Sequence, residues 1–133
     1  PRYSSSAASD VYKRQGYGAD GKYGNEWDMT IWISDRGIES GRLKDILIHE
    51  AAHAYSYLVL RGCVVPDGSS FRELAHKRYG DEEHLADVFV LYYGGKWTNY
   101  DGRENIPIRD RSWMSNMIDY CNLYEEALAT LSS

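Results

Sequence analysis

His49, Glu50 and His53 stand within the stretch DILIHEAAHAYSYLVL, residues 45–60. Two imidazoles four positions apart fall on one face of an α-helix, about one turn from each other. From there both can reach a single ion, and an imidazole nitrogen binds zinc at about 2.0–2.1 Å. Glu50 is one residue on from His49, rotated by about 100°. It can flank a metal without binding it and take a proton from water held there. HEAAH is an instance of the H-E-x-x-H zinc motif. The surrounding residues, among them Ile46, Leu47, Ile48 and Ala52, are those of a core helix. Burying three polar groups in such a helix costs several kcal/mol, on the order of 2–7 for each unpartnered group. A metal is the simplest partner. The plainer alternative is a helix whose histidines are satisfied by hydrogen bonds alone.

A catalytic zinc usually has three protein ligands and one open position. The other histidines are His76 and His84. The stretch EHLAD, residues 83–87, offers Glu83 and Asp87 at i,i+4 on one helix face, with Val90 and Leu91 continuing inward. The simplest arrangement has Glu83 on the metal and Asp87 accepting a hydrogen bond from the outer ring nitrogen of His49 or His53, as metal-bound histidines require. Asp87 or a histidine in place of Glu83 are the alternatives. His84 adjoins Glu83 but points about 100° away. His76, beside Lys77 and Arg78, is expected on the surface.

HEAAH followed by EHLAD resembles the gluzincin group of zinc metallopeptidases, which pair H-E-x-x-H with E-x-x-x-D on a second helix. The E-x-x-A-D form with a following aromatic, as in ADVF, is similar to small, minimal zincins. The resemblance covers residues 27 to about 95. It implies His49, His53 and Glu83 as ligands of one zinc ion per chain, Glu50 as general base and Asp87 as the partner behind a histidine. It implies hydrolysis of peptide bonds, with a peptide or protein as substrate. It also implies that MTIWIS lines the cleft as an edge strand that pairs with extended substrate. The chain departs from the pattern in the separation of thirty positions from His53 to Glu83, which holds an extra helix. Two other readings remain: a non-catalytic zincin-like binding protein, and a zinc hydrolase of another amide, such as one in the cell wall. Glu50 separates the first from a peptidase, because a structural site needs no base. For the oxyanion donor the candidates are His76, Tyr92, Tyr93 and Tyr120, and nothing ranks them.

The elements that must position these side chains follow from periodicity. Trp27, Met29, Ile31 and Ile33 alternate with polar residues and Trp32, so 27–34 reads as a half-buried strand. SDRGIESG reads as a turn, with Ser40 as N-cap of a helix from near Gly41 to about Leu60. Ser70 to Glu73 forms a capping box for a helix that ends at Gly80. Asp81 caps a further helix closed by Gly94 and Gly95. Residues 96–111 read as irregular, with Asp101-Gly102 as a turn and Pro107 as a breaker. A last helix runs from near Ser112 to about Leu131. The fold class expected is α+β: a small zincin-like domain, active-site helix and glutamate helix beside a short sheet, with a helix-rich C-terminal part.

Residues 1–24 have little to bury and read as disordered or artefactual; 1–15 resemble a translated sequencing adapter. What precedes residue 1, a signal peptide included, is left open, and residues 25–133 form the single expected domain. The 133 residues, 43% of them hydrophobic, suffice for one small core. A net charge of −5 lacks the basic face that nucleic acid requires. No apolar run is long enough to span a membrane. Cys63 and Cys121 are expected as buried thiols, one disulfide being the alternative. The excess of Tyr (12) over Phe (2) suits a half-wet cleft wall. Compartment and oligomeric state have no signature.

Overall fold

The computed structural model describes residues 2–6, 30–96, 98 and 106–132. Two strands come first, β1 (Arg2–Ser6) and β2 (Thr30–Ser34), followed by α1 (Asp35–Glu39) and α2 (Leu43–Leu58). A 3-10 turn (Leu60–Gly62) leads to α3 (Phe71–Tyr79), α4 (Glu82–Tyr92) and α5 (Ile108–Ser132).

The expected α+β class is corrected: the domain is helical. The strands are five residues each and, among the described residues, pair only with one another, in parallel, from Arg2 opposite Thr30 to Ser6 opposite Ser34. Two such strands make a ladder, not a layer that helices can pack on. Alternation in 27–34 identifies a strand but says nothing of how many partners it finds. The described connections supply none; residues 60–70 contribute one isolated bridge, Val64 to Ser70. The β2 alternation does place Ile31 and Ile33 inward, against Ile46 of α2, in a small cluster of their own. Trp27 and Met29 lie outside the described residues, as do residues 7–24 of the segment set apart on composition and the Asp101-Gly102 turn.

The main core lies among the helices. Leu60, Leu85, Val88, Leu91, Met114 and Met117 are essentially inaccessible and belong to one cluster spanning α2 to α5. Each large apolar side chain so buried stabilises the fold by about 1.5–3 kcal/mol. Helix limits follow local chemistry. The Ser70 hydroxyl accepts the Glu73 N–H at 3.1 Å, and Asp81 accepts the His84 N–H at 2.9 Å. The helix expected from Gly41 starts at Leu43 with Arg42 as cap; the Ser40 hydroxyl instead accepts the Arg42 N–H. SDRGIESG, expected as a turn, holds the five-residue α1. The last helix begins a turn earlier than expected, because the Pro107 carbonyl accepts the Asp110 and Arg111 N–H groups: proline starts this helix rather than breaking it.

Cys63 and Cys121 form a disulfide, which corrects the expectation of thiols. Their Cα atoms lie 5.6 Å apart, and both residues are fully buried. The bond ties the loop after α2 to the middle of α5. Among the described residues no helix is long and apolar enough to cross a membrane.

Candidate metal centre

The pairing of α2 with α4 builds the site. Asp45 near the start of α2 accepts the Lys96 N–H at 3.0 Å, while His53 near its end meets the first turn of α4. The two helices therefore run antiparallel. A spacing of four on each advances by one turn, so His49 meets Asp87 where His53 meets Glu83. Asp81 fixes the first turn of α4, and carboxylates are favoured there by the helix dipole.

Three side-chain atoms converge. His49 Nε2 lies 3.2 Å from His53 Nε2. Glu83 Oε1 lies 2.7 Å from His53 Nε2 and 3.6 Å from His49 Nε2. Both imidazoles are buried, and the Glu83 side chain is 34% exposed, so the group opens to solvent on the Glu83 side. His49, His53 and Glu83 are the one group among the described residues with metal-ligand spacing. The remaining ring nitrogens point outward: His49 Nδ1 to Asp87 Oδ1 at 2.9 Å, and His53 Nδ1 to Glu82 Oε2 at 2.8 Å.

This donor set fits a zinc ion. A carboxylate only accepts hydrogen bonds, so each outer partner places the imidazole proton on Nδ1 and leaves the Nε2 lone pair facing inward. Two such lone pairs and a carboxylate oxygen then point at one spot. In a tetrahedral site with bonds near 2.0–2.1 Å, donors sit about 3.3 Å apart. The three separations here, 3.2, 2.7 and 3.6 Å, bracket that value.

Without a metal the same convergence is met by protons. Burial pushes the His53 pKa down, but the bonds to Glu82 and Glu83 and the Glu50 charge outweigh it and take it up to about 10. His49 is raised likewise: burial opposes, while the bonds to Asp87 and Glu83 prevail. Burial alone pushes Glu83 up; its bonds to His49 and His53 bring it down to about 2. Glu82 is held below the usual carboxylate range, burial again being outweighed by His53 and His76. Glu50 is fully buried on α2, and its charge acts on both imidazoles.

His49, His53, Glu83 and Asp87 are thus brought together, with Glu50 electrostatically coupled to them. No family model, curated protein or solved structure matches this chain. The rival ligands are placed elsewhere. His84 Nδ1 binds Asp81 at 2.8 Å. His76, expected on the surface, is half-buried with Nε2 2.7 Å from Glu82 Oε1. Two tyrosines suggested as oxyanion donors are otherwise engaged, Tyr92 with Ser115 and Tyr120 with the Val64 carbonyl. Tyr93 is exposed at the far end of α4, beside a groove of about 360 Å³ lined by Ile48, Tyr55 and Phe89.

Glu82 is the residue that sequence reasoning missed. A signal for it exists. Glu82 precedes Leu85, Ala86 and Phe89 by three, four and seven residues, which puts it on the buried face of α4. A carboxylate on that face needs partners.

Proposed function

We propose that the protein is a zinc-dependent metallopeptidase with a gluzincin-type ligand set, His49, His53 and Glu83, carried on a helical scaffold. The observation that carries the proposal is the outward anchoring of both Nδ1 atoms, by Asp87 and Glu82, which leaves the two Nε2 atoms and a Glu83 oxygen converging on one spot that a metal ion or shared protons can fill. Zinc bound there supplies a Lewis acid and lowers the pKa of a coordinated water. Glu50 has the general-base role. It accepts the proton of the water that attacks the scissile carbonyl carbon and returns it to the amine nitrogen as the C–N bond breaks. Asp87 and Glu82 hold the imidazoles in the ligating tautomer. The one-third exposure of Glu83 leaves the site open on that side, which supports entry of an extended peptide there.

The test has two parts. Titration of zinc into metal-free protein is expected to give one ion per chain, bound competitively with a chelator. A peptide library is expected to be cleaved by the zinc form and not by Glu50→Gln. Absence of stoichiometric zinc sinks the metal centre, whereas zinc binding with no cleavage of any peptide sinks the peptidase reading alone.

A further inference from the structure

We propose that Glu82 is a positioning residue for His53 and that α3, the helix lying between the two halves of the zinc motif, exists in part to hold Glu82 in place. The inference rests on the metal reading above.

Glu82 Oε2 takes the His53 Nδ1 proton at 2.8 Å. Its other oxygen, Oε1, accepts from the Ser56 hydroxyl at 2.7 Å, from His76 Nε2 at 2.7 Å and from Arg72 Nε at 3.2 Å. Four donors are about as many as a carboxylate's lone pairs can serve. Arg72 and His76 are themselves i,i+4 on α3, so three helices each contribute a pair one turn apart. His49 and His53 of α2 form the inner layer with Glu83 and Asp87 of α4. The α3 pair closes around Glu82 from outside. Arg72 Nε also lies 3.1 Å from the Ser56 hydroxyl, which ties α3 to α2 directly.

Energetics favour an orienting role over a stabilising one. Glu82 is 6% exposed and sits on the face of α4 that otherwise carries Leu85, Ala86 and Phe89. A buried ion cluster seldom stabilises a fold more than apolar residues of the same volume. What the cluster provides that an apolar residue does not is direction. Four bonds leave Oε2 one orientation, and that oxygen fixes the His53 ring with Nε2 towards Glu83. Asp87 does the same for His49 from within α4. His53 lies near the end of α2 and opposite the first turn of α4, and it depends on a third helix for the same constraint.

The experiment uses the full chain with zinc as the probe. Zinc affinity is measured by chelator competition, and the histidine Nδ1–H resonances of the zinc form are followed by NMR. Glu82→Gln is expected to weaken zinc binding by about 10- to 100-fold and to shift the His53 Nδ1–H resonance while that of His49 stays. A merely structural role moves neither selectively. His76→Leu changes a half-exposed position and leaves the Glu82 side chain itself in place with one donor fewer, so it remains informative where Glu82→Gln fails to fold; it is expected to weaken zinc binding, by less than Glu82→Gln does. Parent protein that binds no zinc overturns the metal reading itself. Parent protein that binds zinc, with both variants matching its affinity, overturns the role of Glu82 and α3 alone.

Discussion

His49 and His53 face each other Nε2 to Nε2 across 3.2 Å, while their Nδ1 atoms are bound to Asp87 and Glu82. Two imidazoles so arranged cannot both be neutral without opposing lone pairs, so the site holds either protons or a metal. Zinc binding at neutral pH is therefore expected to release protons, about one to two per ion, because His53 titrates near 10 in the metal-free protein. Calorimetry in buffers of different ionisation enthalpy measures the number. Zinc uptake without proton release contradicts the arrangement.

The same groups set the pH dependence of metal-free stability. His53 rises from 6.5 to about 10 on folding, so its contribution is fully present below pH 6.5 and lost as pH rises towards 10. Glu83 falls from 4.5 to about 2, so its contribution is present above pH 4.5 and lost in acid. Metal-free protein is expected to have its highest Tm between pH 4.5 and 6.5. Zinc favours the deprotonated imidazoles, so the Tm gain on adding zinc grows as pH rises across that range and beyond. Thermal melts at matched ionic strength, with zinc and with chelator, check both slopes.

Much of the site was legible in the chain because helical spacing is a local property. HEAAH and EHLAD each specify one face of one helix, and the polar cost of burying those faces specifies that they meet. Glu82 was hidden because adjacent glutamates at a helix start are most simply read as solvated, even though its spacing to Leu85, Ala86 and Phe89 puts it on the buried face of α4. The fold class was misjudged for a related reason. A period of two in 27–34 reports a strand, but whether a sheet forms depends on partners distant in sequence. The disulfide escaped for the same reason, since nothing local to Cys63 indicates that α5 returns to it 58 residues later.

That disulfide closes a long loop, so its removal is expected to be costly. For a loop of 58 residues the unfolded-state entropy argument gives about 4 kcal/mol, with measured losses commonly about 2–5. The Cys63→Ser, Cys121→Ser double variant is expected to melt on the order of 10–20 °C below the parent. Zinc affinity is expected to change little, since neither cysteine touches the ligands. A double variant that melts with the parent shows that the bond does not constrain the unfolded chain.

Glu83→Ala removes a ligand, whereas Asp87→Asn alters the partner of one. Outer-partner changes cost about 10- to 100-fold in metal affinity or activity. Glu83→Ala is expected to exceed that range and Asp87→Asn to fall inside it. Chelator competition on both variants ranks them. Reversal of the order exchanges the roles of the two carboxylates on α4.

Glu50→Gln isolates the chemistry from the metal. The substitution keeps the shape of a fully buried side chain and removes its charge. Glu50 acts on both imidazoles through that charge, so its loss weakens the hold on the competing protons and on a divalent cation alike. Zinc affinity at neutral pH is therefore expected to be largely retained. Cleavage depends on the proton that Glu50 carries from water to the leaving amine, and a positioned base contributes about 10²- to 10⁴-fold. The expected signature is kcat reduced by that factor with KM nearly unchanged and zinc still stoichiometric. Loss of zinc together with activity instead makes Glu50 a determinant of the metal site, and undiminished kcat assigns the base to another residue.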